Sequence, residues 1–203
     1  TDSLIREATT FYEQKKAPDR LMLAYYYMGR VSQNLGDALR AQEYYLKALG
    51  VKPPKPDNNL LGLIYNHLGA LYTRQRVYDK ALPYLDKAVA YMEKAGNQRG
   101  VSFALRNIAR AYRMQKEIEK AINNYKKALE KADDISRSSI LVELSSCYTD
   151  LKEGDKALLY LHEALSSVSD SISFYITSLA LGKFYLNTHQ LDSALYYLQQ
   201  SEQ

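Results

Sequence analysis

Five times along the chain, three positions recur in phase. A small residue stands at Gly29, Gly69, Ala109, Ser145 and Gly182, spaced by 36 to 40 residues. Three positions on come Ser32, Tyr72, Tyr112, Tyr148 and Tyr185, and twelve positions on come Ala41, Ala81, Ala121, Ala157 and Ala194. A period of this length constrains the fold more than composition does. One such unit cannot bury its own apolar face and must stack on its neighbours. Between these positions the apolar residues follow helical spacing, and nothing alternates as a strand. The expected class is all-α, a right-handed α-solenoid of helix-turn-helix repeats.

The spacing has a mechanical reading. The small residue on a first helix lets a second helix approach, and the alanine early on that second helix accepts the approach. Tyr45, Leu85, Tyr125, Leu161 and Leu198, four positions later, fill the space beside it, and Ala48, Ala88, Ala128 and Ala164 let the next unit stack. Turn signals fall between helices at NLGD (34–37) and KEGD (152–155). The prolines of VKPPKPDNNL (51–60) predict an extended loop, and Pro83 is expected near the start of a second helix.

These residues resemble the tetratricopeptide repeat, which asks for an aromatic, Leu-Gly, Tyr, Ala, an aromatic, Ala and often Pro. The chain offers Tyr25, Met28-Gly29, Ala41, Tyr45, Ala48 and Pro53, then Tyr65, Leu68-Gly69, Tyr72, Ala81, Leu85 and Ala88. Ser32, Ala109, Ser145 and Ser201 depart from the pattern. EKAGNQRGVSFALRNIARAY (93–112) is similar to the roughly 40-residue variant of scaffold and bacterial signalling proteins. The resemblance implies a single array over 1–203, with a leading helix at 3–16 and repeats at about 20–51, 60–96, 100–133, 136–168 and 173–203. Ala8 and Tyr12 match a second helix whose first helix is absent, so both ends read as cut and the protein is expected to continue.

The family resemblance also implies that the first helices line a ligand groove. The positions that map there are Tyr26, Tyr27, Arg30, Asn34, Asn66, His67, Arg74, Arg106, Asn107, Arg110 and Arg113, followed by Val142, Glu143, Ser146, Leu179 and Lys183. Arg106, Arg110 and Arg113 form a stripe along one helix side, and arginine forks match carboxylates. Asn66, Arg106, Asn107 and Arg110 look like the carboxylate clamp of peptide-binding members, without its characteristic lysine. An acidic or C-terminal peptide segment is the expected partner. Residues 1–116 carry a net +9 and residues 117–203 a net −5, which favours a partner that prefers one half.

Other classes find less support. A net charge of +4 and tyrosines spread through packing positions argue against nucleic acid. His67, His162 and His189 stand in different repeats without metal-ligand spacing, and Cys147 reads as a buried, inert thiol. Asp133 and Asp134 read as turn or cap residues. The expectation is a scaffold without catalytic residues, metal or cofactor and without a membrane span. A sensor region of a larger bacterial signalling or transcription-regulator protein is the alternative, and the open array ends allow self-association.

Overall fold

In the computed structural model the described backbone covers residues 2–201, with side chains described at Glu7 and from Thr9 onward; Ala8 lies outside them. All secondary-structure elements among the described residues are α-helices: α1 (Asp2–Gln14), α2 (Pro18–Asn34), α3 (Ala38–Gly50), α4 (Asn58–Arg74), α5 (Tyr78–Lys94), α6 (Gln98–Met114), α7 (Ile118–Glu130), α8 (Asp134–Asp150), α9 (Gly154–Ser166), α10 (Ser171–Asn187) and α11 (Leu191–Gln200). They fall into two compact units, Thr1–Asn107 and Ile108–Gln203.

Within each hairpin the turn is built the same way. The backbone enters the left-handed region at Gly36 (φ 80°), Arg76 (62°), Lys116 (65°), Lys152 (61°) and His189 (60°). The next N–H then donates back five residues, to the carbonyls of Ser32, Tyr72, Tyr112, Tyr148 and Tyr185, each at 2.9 Å. This satisfies a carbonyl the helix end would otherwise orphan. The residue three after the small position is therefore also the anchor of the turn. Only the first of these turns uses glycine. In KEGD the turn residue is Lys152, while Gly154 opens α9.

Four helices start on an aspartate whose carboxylate accepts backbone N–H groups: Asp37 from Arg40, Asp57 from Asn59 and Leu60, Asp133 from Ser136, and Asp170 from Ser173. Asp57 closes the proline-rich segment, which carries no helix between Gly50 and Asn58. Pro83 corrects an expectation. It lies in the sixth position of α5, past the first turn, where its missing N–H removes an intrahelical bond. It is exposed there.

In the first unit the core runs through Met22, Tyr26, Tyr45, Leu60, Ile64, Leu68 and Leu71, with Ala41, Ala48 and Ala81 fully buried. A Cβ added at Gly29 would stand 2.5 Å from the Tyr45 ring, and one at Gly69 would stand 2.5 Å from Leu85 Cγ. In the second unit Leu161, Leu181, Tyr185 and Ala194 form the core, and a Cβ at Gly182 would meet Leu198 at 2.7 Å. The small residue thus makes room chiefly for the large residue four after the alanine.

Candidate functional site

The first helices carry the candidate residues, some exposed and some buried, and each unit presents its own set. In the first unit, α2 contributes Tyr26, Tyr27, Arg30 and Asn34, and α4 contributes Asn66, His67 and Arg74. Tyr26 is 4% exposed and packs at 5.3 Å from Tyr27, which is 49% exposed. The Arg30 guanidinium donates to the Tyr26 hydroxyl at 3.3 Å and lies over its ring. Asn34 and Arg74 are exposed.

His67 is held as a neutral ring. It stacks on Tyr45 at 5.2 Å and lies 5.9 Å from Tyr26. Its Nδ1 stands 3.2 Å from Gln33 Oε1, which also accepts the Tyr45 hydroxyl at 2.9 Å. Burial, with Arg30 and Arg74 adding to it, lowers the His67 pKa to about 4. Asn66 and Asn107 are both buried and joined, Asn107 Nδ2 donating to Asn66 Oδ1 at 2.9 Å. Arg106 stands beside this pair in sequence and is half-buried.

The arginine stripe does not form an open row of cations. In the second unit, Arg110 pairs with Glu143 of α8 through both nitrogens of its fork, one contact being Nε to Oε2 at 2.9 Å. Arg113 Nε donates to Asp150 Oδ2 at 2.7 Å. One expected clamp cation, Arg110, and a second arginine of the stripe, Arg113, therefore already hold carboxylates. Burial raises the pKa of the Tyr125 hydroxyl beside the Arg110–Glu143 pair. Each acidic partner lies about one repeat downstream of its arginine.

Between α8 and α10 lies an open cavity of about 350 Å³. Val142, Ile176, Leu179 and Phe184 give it apolar walls, and Ser146, Arg113, Asp150 and Lys183 give it a polar rim. Among the described residues Lys183 and, in the first unit, Arg30 and Arg74 have no carboxylate partner. Sequence reasoning named Val142, Ser146, Leu179 and Lys183, but not Ile176, Phe184 or Asp150. Ile176 and Phe184 escaped because they are ordinary apolar residues of a helix whose buried side is unusually polar.

Groups with chemistry are otherwise quiet. Cys147 is buried, and burial pushes its thiol up to about 11, so the nucleophilic thiolate is disfavoured. His162 and His189 are exposed, the latter in a turn. Among the described residues, no three His, Cys, Asp or Glu side chains converge as metal ligands, and no helix is long and apolar enough to cross a membrane.

Helical hairpins, each closed by a small residue and an alanine, define a helix-turn-helix repeat protein. Family models for the tetratricopeptide repeat match residues 60–134 and residues 23–55. The chain belongs to the tetratricopeptide-repeat family, and its fold class is the all-α solenoid. Among solved structures it is similar to BtubC (BKLC) from P. vanneervenii, with a TM-score of 0.79, 21% identity, and coverage of 99% of this chain and 88% of that one. It is also similar to a putative kinesin light chain of Podosopora anserina with TPR-like repeats, with a TM-score of 0.70, 18% identity, and coverage of 91% and 94%. A third is the Rap protein complexed with Competence and Sporulation Factor, with a TM-score of 0.76, 16% identity, and coverage of 91% of this chain and 53% of that one. No curated protein matches the sequence.

Proposed function

We propose that this chain is a noncatalytic scaffold that binds a protein or peptide segment on the exposed sides of its first helices, and that the segment is acidic or ends in a free carboxylate. Tetratricopeptide repeats generally serve as noncatalytic interaction scaffolds, and the related Rap structure is a complex with Competence and Sporulation Factor. The observation that carries the reading is the set of cations left without carboxylate partners, Arg30 and Arg74 in one unit and Lys183 in the other. Each stands beside surface suited to a peptide. Tyr26 and Tyr27 offer flat amphipathic area, and the cavity beside Lys183 accepts an apolar side chain.

Half-buried Arg106 edges the first site, and Asn66 and Asn107, buried and bonded to each other, hold its floor. Arg110 and Arg113 serve instead as rim residues through which a ligand carboxylate competes with Glu143 and Asp150. The scaffold gains affinity through preorganisation, because its side chains are held before the ligand arrives. The same surface would serve a sensor region of a larger signalling protein, with ligand occupancy as its signal.

The test is fluorescence anisotropy with a labelled acidic peptide bearing leucine residues and a free C-terminus. Arg30→Glu with Arg74→Glu, and separately Lys183→Glu, are expected to weaken binding at least about tenfold. Far-ultraviolet circular dichroism should stay unchanged, since all three side chains are exposed. Unaltered affinity in both variants would overturn the reading.

A further inference from the structure

The cavity between α8 and α10 keeps its available donors on one side. On the α8 wall the hydroxyls are already spent. Ser145 and Ser146 donate to the Val142 carbonyl at 2.8 and 3.0 Å, and Thr149 donates to the Ser145 carbonyl at 3.1 Å. At the rim the Arg113 guanidinium is committed to Asp150 at 2.7 Å, and Asp150 brings a carboxylate to the same edge. The α10 wall differs. Ile176, Ala180, Lys183 and Asn187 follow one another at helical spacing, so one face of α10 runs from apolar to cationic to amide along the cavity. The side chains of Lys183 and Asn187 are exposed and take part in no ion pair or hydrogen bond among the described residues.

Size, polarity and charge together restrict the occupant. A volume of about 350 Å³ lies at the small end of ligand pockets and suits one large side chain rather than several. Val142, Leu161, Leu179 and Phe184 favour a side chain without polar atoms, since a buried polar group would go unpaired there. One carboxylate can meet Lys183, but a second would approach Asp150. The unit as a whole, residues 108–203, holds 11 Lys and Arg against 13 Asp and Glu, so it does not attract a run of negative charge.

We propose that this cavity takes the last residue of a polypeptide, a side chain of leucine, isoleucine or phenylalanine size entering between α8 and α10 while the terminal carboxylate binds Lys183 Nζ and Asn187 Nδ2. A terminal residue meets all the restrictions at once, because its carboxylate and its side chain leave the same Cα. An internal aspartate or glutamate does not, because its carboxylate is the side chain and would have to enter the apolar space itself. Lys183 and Asn187 stand four residues apart on α10, hence side by side, and supply the donors that a carboxylate needs. The proposal rests on the peptide-binding reading and narrows it: the second unit reads an apolar chain end and not a series of acidic side chains.

The test uses short peptide libraries labelled at the amino end, random upstream and ending in Leu, Ala or Asp, each as free acid and as amide. Fluorescence anisotropy is expected to rank the Leu-ended free acid first, with amidation weakening it about tenfold. Lys183→Gln should weaken the free acid by a similar factor and leave the amide unchanged. Ser146→Leu, which fills the cavity from the α8 wall, should weaken Leu-ended peptides more than Ala-ended ones, with helical circular dichroism retained in both variants. Equal affinity for acid and amide, or preference for an Asp end over Leu, would overturn the inference. If the acidic peptide still binds in that case, and does so through Arg30 and Arg74, the broader peptide-binding reading stands. Absence of binding by every peptide would overturn both.

Discussion

At the scale of single residues, the left-handed turn positions and His67 carry the sharpest consequences. Arg76, Lys116, Lys152 and His189 adopt a backbone that a side chain resists, at a cost of about 1 kcal/mol each. Lys152→Gly is therefore expected to stabilise the fold by about 1 kcal/mol in urea denaturation, and Gly36→Ala to destabilise it by a similar amount. His67 works through protonation. Its folded pKa of about 4 lies below the unfolded value, so between those values the unfolded chain binds a proton that the folded chain refuses. Its contribution is fully present above the unfolded pKa and is lost as pH falls toward 4. The loss amounts to at most about 3 kcal/mol. Denaturation curves of His67→Phe should show a shallower decline in stability over that window than the parent protein.

At the scale of elements, close helix approach decides which glycines matter. A methyl at Gly69 would sit 2.5 Å from Leu85 Cγ, so Gly69→Ala should cost about 1–3 kcal/mol through overpacking between α4 and α5. Gly154→Ala meets only Phe184 Cζ at 3.9 Å and should be neutral or stabilising by about 0.5 kcal/mol. Polar groups inside the last hairpin act in the opposite sense. The Thr177 hydroxyl is buried without a hydrogen-bond partner. Thr177→Val keeps the shape and removes an unmet donor, and should raise the thermal midpoint by an amount equivalent to about 1–2 kcal/mol. Scanning calorimetry on the three variants checks the order of effects.

At the scale of the whole molecule, charge is distributed unevenly along the chain. The net +9 over residues 1–116 and −5 over residues 117–203 bias an acidic ligand toward the first part. Raising ionic strength should therefore weaken acidic-peptide binding, with the slope of log Kd against log salt reduced in Arg30→Glu with Arg74→Glu. A peptide captured by apolar contact in the cavity of α8 and α10 alone would show no such slope. The ion pairs of Arg110 and Arg113 moderate the field locally, because each cation there meets a carboxylate within its own unit.

The fold was legible because packing repeats: Gly29, Gly69 and Gly182 mark where a helix must come close, and Tyr45, Leu85 and Leu198 are the side chains that fill the room they leave. Such contacts depend on side-chain size, which a sequence states outright. The fate of the arginines was not legible in the same way, since a guanidinium's partner is chosen by where a carboxylate from another helix arrives. Glu143 and Asp150 lie one repeat away from Arg110 and Arg113, and only the packing of α8 brings them within hydrogen-bonding distance. By itself the sequence determined the helical period and the family, because volume and periodicity act locally. The tertiary structure alone decided which charges stay available, because a side chain's partner depends on neighbours that chain order does not specify.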